Sequence, residues 1–154
     1  MTEKEYKESV LQCCDNVFRF LYKNMKSVEE AEDVLQDSLL TLWNNHNSVE
    51  KEKAKSYLFT VAYRNMLNVL KYNKIRTGKE ETNTEITTND YDNKQLVSYA
   101  LEQLPEKMRS CLLLKDWEGY KASEISEMLN ISEENVKIII FRARRMLREI
   151  LIKQ

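Results

Sequence analysis

Residues 121–148 read KASEISEMLNISEENVKIIIFRARRMLR, from Lys121 to Arg148. Ile125 and Leu129 give a short helix a single apolar face. Asn130 follows at a turn that needs left-handed backbone, which Asn adopts more readily than any residue except Gly. Ile131 plugs the corner, and Ser132 caps a long helix whose core stripe is Val136, Ile140, Ala143, Leu147 and Ile150. A short helix, a three-residue turn and a capped second helix form a helix-turn-helix, whose second helix enters the major groove of DNA. The competing reading is an ordinary helical hairpin. The spacing of Ile125, Leu129, Ile131 and Val136, with a cluster of arginines behind it, favours DNA.

Off the core stripe, Glu134, Asn135, Lys137, Ile138 and Arg142 face the groove, with Ser132 at its entrance. The early residues meet base edges. Arg142, Arg144, Arg145 and Arg148 suit phosphates, or ion pairs with Glu133 or Glu149.

The rest of the chain is as helical in its composition. Its 154 residues include two glycines and one proline, whereas all-β folds need many turns that draw on Gly, Pro and Asn. Two isolated glycines, Gly78 and Gly119, cannot build a glycine-rich phosphate cradle. The longest apolar runs, such as Ile138 to Phe141, are far too short to span a bilayer, so no membrane insertion is expected. The opening Met1 to Glu8, alternating acid and base, is not expected to act as a signal peptide. Cys13, Cys14 and Cys111 have neither a metal-binding nor a disulfide spacing. With a single histidine, His46, the chain offers little for acid–base or metal chemistry. A reduced, cytoplasmic protein that uses no cofactor and is not an enzyme is expected.

Net charge is −1, but it hides segregation. Positive charge gathers in Arg64, Lys71, Lys74, Arg76 and Lys79, and again in Arg142 to Arg148. Acid collects in Glu29 to Asp37 and in Glu80 to Asp92. Periodicity predicts a helix over 3–24, a second opening at Ser27 with Glu30 completing a capping box, and a third over 52–76. From 77 to 92 the periodicity fails in a Thr- and Asn-rich stretch that reads as a flexible linker. A helix over 93–103 and another opened by Pro105 and closed near Gly119 lead into the helix-turn-helix. The expected architecture is therefore all-α: two small helical domains, 1–76 and 93–154, joined by the linker.

Two faces of the first domain stand out. On the second helix Asp33, Gln36, Asp37, Leu40 and Asn44 share a side, which suits docking or merely solvent. On the third, Tyr57, Thr60, Arg64, Asn68 and Lys71 combine ring, amide and cation, the mixture that suits a nucleic-acid strand.

Ala31-Glu32-Asp33-Val34-Leu35-Gln36-Asp37 with Leu42-Trp43, Lys55 to Ala62, Leu104-Pro105-Glu106-Lys107 through Glu118-Gly119, and Ile125-Ser126, Ile131-Ser132, Val136-Lys137 and Phe141 to Arg144 stand in a telling order. Together, over nearly the whole chain, they resemble the extracytoplasmic-function group of bacterial sigma factors. The resemblance makes the first domain sigma region 2 and the second sigma region 4. It implies that Asp33, Gln36, Asp37, Leu40 and Trp43 bind core RNA polymerase. It implies that Tyr57, Thr60, Arg64, Asn65, Asn68 and Lys71 handle the unpaired −10 strand, that the loop from His46 to Glu52 holds a flipped base, and that the helix-turn-helix reads the −35 element of promoter DNA. It further implies an anti-sigma factor that separates the domains. This chain departs from the family's frequent residues at Arg64 and Asn68, in the loop 47–52, which has no aromatic, and at Ile138 and Ile139. Two other functions remain in view: a helix-turn-helix regulator acting without polymerase, which leaves the Asp33–Leu40 face unexplained, and a helical protein-interaction module.

Overall fold

A computed structural model describes residues 1–78 and 93–153. Helix α1 (Glu3–Met25) opens on a reciprocal cap: the Glu5 amide donates to Thr2 Oγ1 at 3.1 Å, and the Thr2 amide donates to Glu5 Oε1 at 3.0 Å. These bonds favour the ionised carboxylate and lower the Glu5 pKa. The helix stops at Lys26, whose φ of 58° lies in the left-handed region. Helix α2 (Val28–Asn44) starts, as its sequence predicts, on Ser27, whose Oγ accepts from the Glu30 amide at 3.2 Å. The expected capping box is not closed. The Glu30 carboxylate instead accepts from Asn73 Nδ2 at 3.1 and 3.2 Å, because α3 runs alongside and offers a donor that the Ser27 amide must compete with.

Two short 3₁₀ turns, His46–Ser48 and Lys51–Lys53, join α2 to α3 (Ala54–Thr77). The third helix thus begins two residues later than its periodicity suggests. Gly78, at φ 62°, closes it with an amide that donates to Lys74 O at 3.0 Å. Cys13, Val17, Phe20, Leu21, Val34, Leu42, Leu58, Phe59, Ala62 and Met66 are buried where these three helices meet. Each large side chain removed from water there contributes roughly 1.5–3 kcal/mol. Except for Thr77 and Gly78, the expected linker lies outside the described residues.

The second half comprises α4 (Asn93–Gln103), α5 (Glu106–Leu112), α6 (Ala122–Leu129) and α7 (Glu133–Lys153). Pro105 sits one place before α5, with φ −53° and extended ψ 147°. The helix it introduces does not run unbroken to Gly119. Leu113–Trp117 widen into a π turn, with the Glu118 amide donating to Leu113 O at 2.9 Å. Leu112, Leu113 and Leu114 are all buried, because α5 and the turn after it are packed on more than one side.

The two halves share one continuous core. Phe59 of α3 meets Tyr120 edge-on, with ring centroids 5.4 Å apart, and Tyr63 donates its hydroxyl to Glu106 Oε2 at 3.4 Å. Arg109, only 2% exposed, reaches from α5 to α1 and donates Nε–H to Asn24 Oδ1 at 2.8 Å. Its Nη1 also donates to Leu104 O at 3.1 Å. Arg19 pairs with the Glu118 carboxylate at 3.0 Å, and Lys26 with Glu102 at 3.4 Å.

Candidate nucleic-acid and polymerase interfaces

The turn between α6 and α7 has the geometry its sequence requires. Asn130 takes φ 54° and ψ 49°, and the Ile131 amide donates back to Ser126 O at 3.2 Å. Ser126 Oγ in turn donates to Ile131 O, so the corner is closed from both sides. Ser132 Oγ accepts from the Asn135 amide at 3.1 Å, which commits that hydroxyl to the cap of α7. Val136, Ile140 and Ala143 are buried, and Leu147, Ile150 and Ile139 pack half-buried against the same core.

The opposite face of α7 is open. Glu134, Asn135, Lys137, Ile138, Arg142, Arg144, Arg145 and Arg148 are all exposed. Their charges are not equally available. Arg144 holds Asp116 of the π turn through Nε at 3.1 Å and through Nη2, a paired contact that raises its pKa further. Arg145 lies 3.5 Å from Glu149, and Lys137 lies 3.7 Å from Glu133. Arg142 and Arg148 have no ion pair among the described residues.

On α3, Arg64, Asn68 and Lys71 are exposed and continue the line of half-buried Tyr57 and Thr60. Thr60 Oγ1 donates to Ser56 O at 2.8 Å, so its methyl is the freer group. Asn65 lies off this line. Its amide donates to Ser38 Oγ at 3.2 Å, at the packing surface between α2 and α3. Phe59 and Tyr63 occupy a different side of the helix, the one pressed against the second half. The stripe therefore stays open while the halves are packed together.

The stripe ends at a cavity of about 310 Å³ lined by Asn45, Ser48, Val49, Glu50, Lys53 and Tyr57. The loop 47–52 has no aromatic residue, and Tyr57 brings the ring from the helix instead. The loop's entry is braced from behind. Trp43 stacks on His46 with centroids 4.3 Å apart and meets Tyr6 edge-on at 5.1 Å. Trp43 is thus half-buried in an intramolecular aromatic cluster, beside the exposed face of Asp33, Gln36, Asp37 and Leu40. Leu40 is 58% exposed at the C-terminal end of that face.

Sequence reasoning missed the polar groups at the seam: Asn24, Tyr63, Glu106 and Arg109. An arginine or an asparagine on an amphipathic helix reads as solvent-facing, and only the partner across the seam makes it a buried group. A single sequence carries no signal for that.

Comparison with known proteins supplies a further observation. Residues 11–75 match the model of sigma-70 region 2, and residues 94–147 match that of sigma-70 region 4. The chain belongs to the sigma-70 family. Among curated relatives of this sigma-70 chain, the ECF RNA polymerase sigma factor SigM of Bacillus subtilis is 29% identical, covering 87% of each chain. The RNA polymerase sigma factor SigV of the same organism is 24% identical over all of this chain and 98% of its own. The first of these relatives carries the name of the extracytoplasmic-function group, the group that the chain's motifs resemble. Its fold is shared with the sigma factor RpoE, solved in complex with the anti-sigma factor NepR from Bartonella quintana. That likeness has a TM-score of 0.81 at 22% identity and covers 96% of this chain and 97% of the other. CnrH, solved with the cytosolic domain of CnrY, has a TM-score of 0.74 at 16% identity, covering 99% and 91%.

Proposed function

We propose that this sigma factor acts by binding alone: it docks on core RNA polymerase and directs it to promoters carrying a −10 and a −35 element matched to two of its own faces. The observation that carries this reading is the simultaneous exposure of three chemically distinct faces on one chain. The acidic–amide–leucine face of α2 suits a protein. The Tyr57–Lys71 stripe, ending in a cavity large enough for a flat ring, suits an unpaired strand with one base extruded. The arginine-flanked face of α7 suits duplex DNA. A regulator that works without polymerase has no use for the first two faces.

The work is done by differential binding. A strand held on α3 with a base in the Tyr57 cavity is stabilised only when unpaired, so the sigma factor favours the melted promoter without making or breaking a covalent bond. Neither half is large, and tethering lets the second contact form at a high effective concentration.

The packed halves cannot do this together. Elements as far apart as the labels −10 and −35 imply, about 25 base pairs, would be separated by roughly 85 Å at about 3.4 Å per pair. A compact chain of this length has a radius of gyration of about 15 Å and a width of about 40 Å. The seam must therefore open, and the connection from Gly78 to Asn93 can then reach at most about 50 Å. The anti-sigma factor that the resemblance implies, by separating the domains, would silence the protein if it held them in an arrangement that does not match the two elements. The place of action is the cytoplasm, where the polymerase and its template are. Among the described residues no helix is long and apolar enough to cross a membrane.

The test is selection from a library of promoter fragments by the chain with and without purified core polymerase. Recovery of paired elements at fixed spacing, dependent on polymerase, is the expected result. Equal enrichment of a single duplex site without polymerase would favour the regulator.

A further inference from the structure

Ile138 and Phe141 sit three residues apart on the outer face of α7, and they are 47% and 68% exposed. Both belong to the face that carries Lys137, Arg142 and Arg145, and neither contributes to the core that Val136, Ile140 and Ala143 form. Ile139 behaves differently: it leans half-buried onto that core. Two large apolar side chains on the open side of a recognition helix forgo the stabilisation that burial would give, so what they meet on binding matters. Their surroundings narrow the choice. The cations on either side outnumber Glu134 on the same face, and Arg142 has no ion pair among the described residues, which favours a polyanion over an apolar protein groove. In the major groove the one apolar group on a base edge is the C5 methyl of thymine.

We infer that Ile138 and Phe141 read thymine methyls, so that the −35 element of this sigma factor contains one or two thymines, at neighbouring base steps, recognised by apolar contact. This rests on the assignment of α7 to the −35 element and adds what α7 reads there. The division of labour on the helix follows. Arg142 and Arg148 fix the register on phosphates, the Asn135 amide can take a base edge, and the isoleucine–phenylalanine pair supplies discrimination that needs no hydrogen bond. A cytosine at the same step offers no methyl and presents an amino group that the apolar pair leaves unsatisfied.

The experiment replaces thymine by deoxyuridine, which removes only the methyl group. A −35 element is first recovered by selection with the full chain reconstituted on core polymerase. Each of its thymines is then changed singly to deoxyuridine, and holoenzyme affinity is measured by competition. At the contacted step or steps the wild-type holoenzyme should bind about fourfold more weakly per methyl, the equivalent of about 0.8 kcal/mol. Ile138→Ala and Phe141→Ala should each erase the difference between thymine and deoxyuridine at one step. Circular dichroism melting curves should be unchanged, since both side chains are exposed. Equal binding of all thymine and deoxyuridine duplexes would overturn the inference. If Arg142→Ala still weakened those duplexes, the −35 assignment would survive that failure. Loss of discrimination nowhere, with Ile138→Ala instead weakening capture by a protein inhibitor, would give the face to a protein partner and overturn it too. Recovery of no −35 preference at all would remove the assignment and the inference together.

Discussion

At the scale of single residues, the open face of α7 is graded by how its charges are already satisfied. Arg142 has no ion pair among the described residues, whereas Arg144 holds Asp116 with two of its nitrogens. A guanidinium that is already paired gains less from a phosphate, because it must first give up a bond of similar kind. Arg142→Ala should therefore weaken promoter binding and reduce the slope of log affinity against log salt by about one. Arg144→Ala should change that slope less and cost the fold no more than about 1 kcal/mol, since its partner is near the surface. Equal slopes for both variants would contradict this ranking. The thiols are graded in the same way. Burial pushes the Cys13 thiol up to about 11 and Cys111 up to about 12, so at neutral pH the reactive thiolate is a smaller fraction than for an ordinary cysteine. At pH 7–8 a disulfide reagent should modify half-buried Cys14 first, with Cys13 and Cys111 following only on unfolding. Fast labelling of all three in the native protein would show that the core around them opens.

At the scale of the elements, the sequence was legible wherever a local rule sufficed. The apolar stripe of α7, the Ser132 cap and the left-handed Asn130 were all readable, because each depends on residues within a turn of one another. Asn130→Gly should leave stability nearly unchanged, whereas Asn130→Val should cost about 1–2 kcal/mol through left-handed strain, read by thermal melting. A tolerated valine would mean that the turn is not held left-handed at residue 130. Where a longer-range partner decided, the local rule failed. Glu30 matched a capping box in spacing, yet Asn73 on another helix took its carboxylate. The π turn at Leu113–Trp117 likewise interrupts a helix whose pattern runs on, and the Glu118 carboxylate that follows it pairs with Arg19 of α1. Of the residues expected at the −10 strand, Tyr57, Thr60, Arg64, Asn68 and Lys71 share a face. Asn65 lies beside that face, half-buried, with its amide donating to Ser38 of α2.

At the scale of the whole molecule, two expected domains are packed into one body through a seam whose polar groups come from both halves. Glu118 shows why the seam resists casual opening. Its side chain is 3% exposed and satisfied by Arg19, which itself is half-exposed. Arg19→Ala would leave that carboxylate buried and unpaired, a cost of about 1–3 kcal/mol borne only while the halves stay packed. The variant should thus favour the open form, with a radius of gyration by X-ray scattering above the roughly 15 Å of a compact chain and an unchanged helix content. An unaltered radius would show that the remaining contacts, Arg109 to Asn24 among them, hold the seam without it. An open form populated in this way should bind promoter DNA on polymerase more readily, because spanning both elements requires it.

The most direct test of the account is run-off transcription from a selected promoter by core RNA polymerase with either the wild-type chain or the double variant Asp37→Ala, Leu40→Ala. Both residues lie exposed on α2, so the fold should be unaffected by their loss. Initiation at a defined start by the wild type, lost with the variant although it still melts at the same temperature, is the predicted result. A variant that directs initiation as well as the wild type would contradict the docking face, and a wild-type chain that binds the promoter yet yields no transcript would contradict the function.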